Sequence, residues 1–209
     1  MALIHQAQLV PSKLELLRVW IPGRRWAGDA DTTGLRAVAA YRFDDPDGEV
    51  GIETHLVGTG DGQVLQVPLT YRGSPLPGAE SSLVSTMEHS VLGRRWVYDA
   101  VADPVYRRAV LTAILTGGTQ AELEYPSGAA VPEVTTRVRG TGGPHRSVPD
   151  LGVVSVTDGS SATTVSSDGV YLEVIRRVDP DRRAGDAPAL VGTWPGQAAA
   201  AVLAVARVA

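Results

Sequence analysis

The densest group of ionisable side chains in this sequence lies between residues 89 and 99. Its members are His89, Arg94, Arg95, Tyr98 and Asp99. A histidine and a carboxylate can exchange protons at neutral pH when both face one cleft. Ser90 lies in the segment HSVLG and not in the G-x-S-x-G pattern of a serine nucleophile. Two interpretations stay open, an acid-base pair or the more common hydrogen-bond network that holds a loop in place.

A second candidate is a run of aromatic and basic residues near the amino terminus. It consists of Trp20, Arg24, Arg25 and Trp26. Guanidinium groups stack on indole rings and can hold an anion or a sugar hydroxyl. The alternative is that the tryptophans close a core while the arginines pair with Asp29 and Asp31, since tryptophan is usually largely buried. Together with His89, Arg95, Tyr98 and Asp99, these residues form the predicted surface for a ligand or partner.

The other motifs predict no cofactor and no metal. The chain has no cysteine, which excludes thiolate chemistry, and its four histidines have no paired spacing for a metal. The glycine-rich segments 58–62 and 116–118 lack the Gly-Lys-Ser/Thr ending of a phosphate loop. The acidic run 44–49 lacks the terminal bidentate glutamate of a calcium loop. Turn formation is the simplest interpretation of all three segments.

Composition limits the classes of partner. With 209 residues, 44% hydrophobic and 20% charged, the chain is a globular protein. A net charge of -4 argues against nucleic acid and against a membrane surface as the main partner. Lys13 is the only lysine, so any lysine-dependent mechanism is excluded further along the chain. Neither a signal-peptide pattern nor a long apolar run is visible, and we expect a cytoplasmic protein.

Local patterns in the first 125 residues predict an antiparallel sheet with helices. Apolar residues at spacings of three and four predict a helix over residues 11–21, which ends at Pro22-Gly23. A second helix is predicted after Asp103 as N-cap and Pro104 in the first turn, ending at Gly117. Alternating runs joined by Asp- and Gly-rich turns predict strands at 35–43, 50–58 and 63–72, and residues 95–101 suit either a strand or an exposed turn.

The composition changes after residue 125. Residues 126–149 are rich in proline and glycine, which predicts a linker with one strand near 134–138. Further strands are predicted at 153–156, 162–166, 170–178, 189–192 and 199–208, of which the last also suits an alanine-rich helix. The sequence therefore predicts an α+β protein with units at 1–125 and 150–209. Exposed edge strands in the second unit favour self-association.

Two segments of the first unit resemble motifs of a known family. VWIPGRRWAG at 19–28 resembles the signature near the start of maltokinases and actinobacterial aminosugar kinases. MEHSVLGRRWVYDAVADPVY at 87–106 is similar to their second motif, which also precedes a helix and a glycine-rich stop. In that family this region is a cystatin-like cap, a curved antiparallel sheet with a helix across it. The resemblance implies the same fold for residues 1–125.

The resemblance extends to a hairpin of the kinase N-lobe. SSATTVSSDGVYLEVIRRV at 160–178 resembles the family's hairpin, whose second strand carries the lysine that holds the nucleotide phosphates. Glu173 stands at the position that the resemblance assigns to this lysine. A carboxylate repels the phosphates that an ammonium group attracts. Nucleotide binding in the usual mode is therefore not expected.

The family's catalytic aspartates lie in a helical lobe, which we expect to be missing after residue 209. The sequence thus predicts a non-catalytic, stand-alone relative of the maltokinase N-terminal region. Such a protein would be a binding or regulatory module in maltose, trehalose or glycogen metabolism, with a protein partner or a sugar ligand. One alternative is the N-lobe of a split ATP-dependent sugar kinase, completed by a separate C-lobe chain. Another is a small-molecule binder that uses a pocket of the sheet near His89 and Asp99.

Overall fold

The computed structural model describes residues 2–3, 8–124 and 135–209. Residues 126–134 of the predicted linker, which include the start of the strand predicted near 134–138, therefore lie outside the described residues. The helices in these ranges are α1 (Lys13–Trp20) and α2 (Pro104–Thr116). Short 3-10 turns occur at Ile21–Gly23, Arg25–Ala27, Glu80–Ser82 and Ala100–Ala102. Neither α-helix in the described ranges is long and apolar enough to cross a membrane.

The strands make up most of the described chain. In chain order they are β1 (Ala2–Leu3), β2 (Leu9–Val10), β3 (Arg36–Phe43), β4 (Gly51–Gly58), β5 (Val64–Arg72), β6 (Leu83–His89), β7 (Gly93–Asp99), β8 (Leu123–Glu124), β9 (Arg137–Gly140), β10 (Ser155–Asp158), β11 (Ala162–Ser167), β12 (Val170–Ile175), β13 (Arg177–Val178), β14 (Ala189–Trp194) and β15 (Gln197–Val208).

These strands form two antiparallel sheets and one short parallel pair. The first sheet has the order β2-β6-β7-β5-β4-β3, and β13 pairs with the start of β5. The second sheet has the order β10-β11-β12-β15-β14-β9. The parallel pair joins β1 to β8. The predicted α+β layout, an antiparallel sheet with packed helices followed by a second β-rich unit, is confirmed as a mostly-sheet structure with two helices. The cystatin-like label stays a prediction.

Local signals explain where the helices begin and end. Ser12 caps α1 in a capping box with Glu15, whose carboxylate accepts from the Ser12 backbone N–H at 2.8 Å. Asp103 caps α2 by accepting from the Val105 backbone N–H at 2.9 Å. Gly117 ends α2 with a φ of 76°, a left-handed conformation that glycine adopts without a Cβ clash. Both predicted helices are confirmed.

The two faces of the first sheet have different partners. On one face, α1 and the following 3-10 turns pack on β4, β5 and β7, in a cluster that includes Leu17, Trp26 and Leu65. On the other face, a larger cluster joins the sheet to α2 and to the second sheet, with Leu56, Leu111 and Leu203 among its members. The second sheet thus shares a core with the first sheet and with α2.

Several strand predictions are confirmed, but β6 was not foreseen. β3, β4 and β5 match their predicted ranges, and residues 95–101, for which a strand or a turn was predicted, begin as part of strand β7. The alanine-rich segment 199–208 is strand and not helix, because β15 pairs with β12 on one side and β14 on the other. β6 was missed, whereas β9 overlaps the strand that was predicted near 134–138 within the linker.

Candidate functional site

A groove of about 880 Å³ lies at one end of the first sheet, beside the start of α1. Its walls come from α1, the turn between β3 and β4, the end of β5 and the hairpin of β6 and β7. The volume is within the usual range for small-molecule sites, roughly 300 to 1,000 Å³. Unlike most such sites, the groove has many charged side chains in its lining.

The floor of the groove is built around Glu53, which is only 8% exposed. Arg42 of β3 lies directly opposite Glu53 of β4 in the antiparallel register, and its Nη2 is 3.2 Å from Oε1. Lys13 reaches down from α1 and donates to Oε2 of the same carboxylate. Glu53 therefore binds two cations that come from different elements.

Two further polar groups complete this cluster. His55 lies two residues after Glu53 on the same face of β4, with Nε2 3.6 Å from the Glu53 carboxylate. The same nitrogen is 3.0 Å from the hydroxyl of Tyr71 on β5. The Lys13 ammonium is 5.5 Å from the centre of the Tyr71 ring, within the range of a cation-π contact. We call Lys13, Arg42, Glu53, His55 and Tyr71 the Glu53 cluster.

Burial and mutual charge determine the protonation of the Glu53 cluster. Burial alone would raise the pKa of Glu53, but His55, Lys13 and Arg42 outweigh it and lower the pKa to about 2. Burial lowers the pKa of His55, with Lys13 and Arg42 adding to the effect and Glu53 opposing it. Burial also raises the pKa of Tyr71 well above its ordinary value. At neutral pH the glutamate is therefore ionised, while the histidine and the tyrosine are neutral.

The sequence interpretation missed the Glu53 cluster, although one signal was present. In the strand GIETHLVG, Glu53 and His55 are two residues apart and therefore point to the same face as the buried Val57. A charged residue on a buried face of a strand needs a partner. The sequence could have indicated that need, but not that Lys13 and Tyr71 would meet it.

The structure does not bring the predicted pair His89 and Asp99 together. His89 ends β6 opposite Gly93, whereas Asp99 is the last residue of β7. Six residues of extended strand separate these positions, which amounts to about 20 Å. His89 lines the groove, and its Nδ1 accepts from the backbone N–H groups of Val91 and Leu92. Within the described residues, these two side chains share no cleft in which one could pass a proton to the other.

The other residues predicted near this pair have separate surroundings. Arg95 lines the groove and donates to the carbonyl oxygen of Leu92. Tyr98 is buried, and its hydroxyl accepts from the backbone N–H of Leu76 at 2.9 Å. Of the four residues predicted in this region, His89 and Arg95 therefore face the groove, while Tyr98 and Asp99 do not line it.

Asp99 instead holds the two sheets together. Nη2 of Arg176, which follows β12, lies 2.7 Å from each oxygen of the Asp99 carboxylate. Arg176 is fully buried, donates from Nε to the Thr163 hydroxyl at 2.8 Å and lies over the Trp26 ring at 5.0 Å. Burial raises the pKa of Asp99, and the charge of Arg176 opposes that rise. This arrangement is an ion pair inside the protein, not an acid-base site.

The tryptophan and arginine run is divided between the core and the surface. Trp26 is fully buried, while Trp20 is half-buried with its ring 5.7 Å from that of Trp26. Arg24 stacks over the Trp20 ring at 4.9 Å, and Arg25 is exposed. Predicted stacking of an arginine on an indole is therefore present at Arg24.

The alternative pairing of these arginines with Asp29 and Asp31 is wrong. Asp29 accepts instead from Nη1 of Arg177 at 2.8 Å, a bond that lowers its pKa. Asp31 accepts from the Thr33 hydroxyl at 2.6 Å. Arg177 belongs to β13, so the second half of the chain supplies a partner that the local sequence could not indicate.

Glu173 lies in the middle of the second sheet. It is on β12, opposite Thr164 of β11 and Val205 of β15. Its carboxylate accepts from Nη2 of Arg182 at 2.7 Å, and the two side chains are 18% and 31% exposed. Arg182 comes from the segment between β13 and β14 and also lines a smaller cavity of about 360 Å³. The carboxylate at this position is thus paired with a local arginine.

The arrangement of the two sheets and the two helices defines the class of fold. The chain is a mostly-β protein in which one antiparallel sheet carries α1 on one face and shares a core with α2 and a second sheet on the other. Residues 20–103, from the last residue of α1 to the N-cap of α2, match the family model of the maltokinase N-terminal cap domain. The predicted resemblance to maltokinases is confirmed for this region.

Comparison with solved structures found a similar protein. A glucosamine kinase in complex with glucosamine, ADP and inorganic phosphate matches with a TM-score of 0.48 and 14% sequence identity. The match covers 95% of this chain and 41% of the kinase chain, so this chain spans less than half the length of that protein. The comparison with curated protein sequences found no match.

Proposed function

We propose that this chain is a non-catalytic relative of the maltokinase N-terminal region and acts as a binding or regulatory module. The observation that carries the proposal is the ion pair of Glu173 with Arg182, at 2.7 Å. In kinase-like N-lobes a lysine on a strand holds the nucleotide phosphates, and the resemblance of residues 160–178 to the family's hairpin assigns the lysine position to Glu173. Here the strand presents a carboxylate, and the nearest cation is already bound to it.

Electrostatics makes this position unfavourable for a triphosphate. Two unit charges about 4 Å apart interact with an energy on the order of 4 kcal/mol at the effective dielectric constant of a protein surface, before further screening. Replacing a cation by an anion reverses the sign of this interaction with each nearby phosphate. Arg182 could offset the repulsion only by leaving Glu173, which would then be a half-buried carboxylate without its ion pair.

The proposed module would act in carbohydrate metabolism. The match of residues 20–103 to the maltokinase cap domain supports a role in maltose, trehalose or glycogen metabolism. We expect the module to act in the cytoplasm by contact with a protein partner or with a sugar. The exposed strand β10, at the edge of the second sheet, adds self-association to the proposed contacts.

Titration calorimetry with Mg·ATP tests the proposal. The unaltered chain is expected to show no saturable binding at millimolar nucleotide, whereas Glu173→Lys should gain weak binding because it restores the positive charge. Glu88→Lys makes the same charge change at an exposed site on β6 and is the matched control. Saturable Mg·ATP binding by the unaltered chain, or turnover of ATP to a sugar phosphate, would contradict the proposal.

One further outcome would favour the alternative of a split sugar kinase. In that case Mg·ATP would bind only after a separate helical kinase lobe had been added to this chain. The same titration, repeated with and without such a lobe, separates the two functions. A binding module that acts through another partner would show no nucleotide binding in either titration.

A further inference from the structure

The floor of the groove beside α1 has a surplus of positive charge. Lys13 and Arg42 both have their ion pair with the single carboxylate of Glu53. The side chains of these two cations are 28% and 29% exposed, whereas that of Glu53 is 10% exposed. Two positive charges against one negative charge leave one positive charge at the groove surface without a counterion from the cluster.

The neutral members of the Glu53 cluster do not cancel this surplus. The pKa of His55 is lowered and that of Tyr71 is raised, so neither side chain carries a charge at pH 7. Nε2 of His55 and the hydroxyl of Tyr71 are engaged with each other at 3.0 Å. Partly buried charges are stabilised by a paired counterion. An anionic group placed beside Lys13 and Arg42 would supply that counterion.

The other walls restrict what the remainder of such a ligand can be. Arg72 already forms two hydrogen bonds, of 2.7 and 2.8 Å, to the carboxylate of Asp103. On the rim, the turn between β3 and β4 presents the exposed Asp44 and Glu49. The carboxylate of Asp45 instead accepts from backbone N–H groups of the same turn. Carboxylates accept hydrogen bonds from hydroxyl groups but repel further negative charge. The rim therefore favours a ligand whose remaining groups are hydroxyls over a polyanion.

We propose that this groove binds a small hydroxylated anion, with one carboxylate or phosphate group at Lys13 and Arg42 and hydroxyl groups along the acidic rim. A neutral polyol would leave the surplus charge uncompensated, and a polyanion would meet the acids of the rim. The inference goes beyond the proposed function and does not depend on Glu173, which lies in the other sheet.

Titration calorimetry with three probes of similar size tests the inference. The probes are gluconate, which carries a carboxylate, glucose 6-phosphate, which carries a phosphate, and neutral sorbitol. At least one of the anions is expected to bind at least about tenfold more tightly than sorbitol, since hydrogen bonds to charged groups are the stronger ones. The anion that binds more tightly identifies the source of the anionic group. Equal binding of all three probes, or binding of none at millimolar concentration, would overturn the inference.

Substitutions in the floor of the groove provide a second test, because they should change the affinity for the anion in opposite directions. Lys13→Gln and Arg42→Gln each remove one cation and should weaken anion binding by about tenfold. Glu53→Gln removes the competing carboxylate and should strengthen it, a direction that a loss of structure would not produce. Arg94→Gln, at an exposed arginine of β7 outside the groove lining, is the matched control and should leave affinity unchanged.

Thermal melting of each variant verifies that it is folded. Unchanged affinity in both Lys13→Gln and Arg42→Gln would place the anion elsewhere and reject the inference. If these variants do not fold, the comparison of the three probes on the unaltered chain still shows whether the groove prefers an anion. A chain that binds neither Mg·ATP nor any of these probes would reject this inference while leaving the proposed non-catalytic role in place.

Discussion

Replacing Asp99 by asparagine is expected to lower the free energy of unfolding by about 3–5 kcal/mol, because it breaks a buried ion pair by removing one partner. Both oxygens of Asp99 lie 2.7 Å from Nη2 of Arg176. The Arg176 side chain is fully buried, and that of Asp99 is 10% exposed. Asparagine keeps the shape of the side chain and one acceptor oxygen, but it leaves the guanidinium without a counterion.

The remaining contacts of Arg176 do not offset this loss. The Trp26 ring at 5.0 Å contributes a cation-π interaction worth up to about 2 kcal/mol when desolvated. That contact and the bond to Thr163 exist before and after the substitution, so neither changes the difference. The raised pKa of Asp99 agrees with a costly burial of the pair, since burial is its largest cause.

Urea denaturation, monitored by tryptophan fluorescence, measures the loss of unfolding free energy in Asp99→Asn. Glu88→Gln, which breaks the exposed pair of Glu88 with Arg94, is the matched control and should change stability little. The double variant Asp99→Leu with Arg176→Met replaces the pair by apolar side chains and should recover most of the loss. A loss below about 1 kcal/mol in Asp99→Asn would refute the idea that Arg176 depends on this carboxylate.

Two further predictions concern the Glu53 cluster and the packing of β9. The free energy of unfolding should fall from pH 7 to pH 5, because the pKa of His55 is lowered in the folded state and the unfolded chain therefore takes up the proton first. Urea denaturation at several pH values should show that the free energy of unfolding of His55→Gln depends less on pH than that of the unaltered chain. An equal dependence on pH in both proteins would contradict this prediction. Gly140→Ala would place a Cβ 1.8 Å from the Ala113 carbonyl oxygen and should cost about 3 kcal/mol or more. Gly143→Ala, with nothing within 4 Å, should be neutral, and equal melting temperatures of both variants would contradict the close approach.

Elements with local signals were predictable. The ends of α2 depend on Asp103, Pro104 and Gly117, which all lie within or next to the helix itself. The hairpin of β4 and β5 depends on alternating residues and a glycine-rich turn, with a φ of 88° at Gly62. These features are visible in the sequence because the interactions that cause them join residues close together in the chain.

Elements that depend on their neighbours in a sheet were less predictable. β6 was missed, and its pairing with β7 contains a register shift between Leu83 and Ser85 that interrupts regular alternation. The alanine-rich β15 suits a helix by composition, but pairing on both sides makes it a strand. β9 packs against the end of α2, where a glycine at position 140 allows the close approach.

The sequence by itself determined the helix ends, the main hairpins, the resemblance to the maltokinase cap and the presence of glutamate at position 173. Only the tertiary structure decided which charges meet. It paired Lys13 with Glu53 across 40 residues, Asp99 with Arg176 across 77, and Glu173 with Arg182. Sheet order and the packing of α1 bring these side chains together, and electrostatic interactions depend on distance in space and not on separation along the chain.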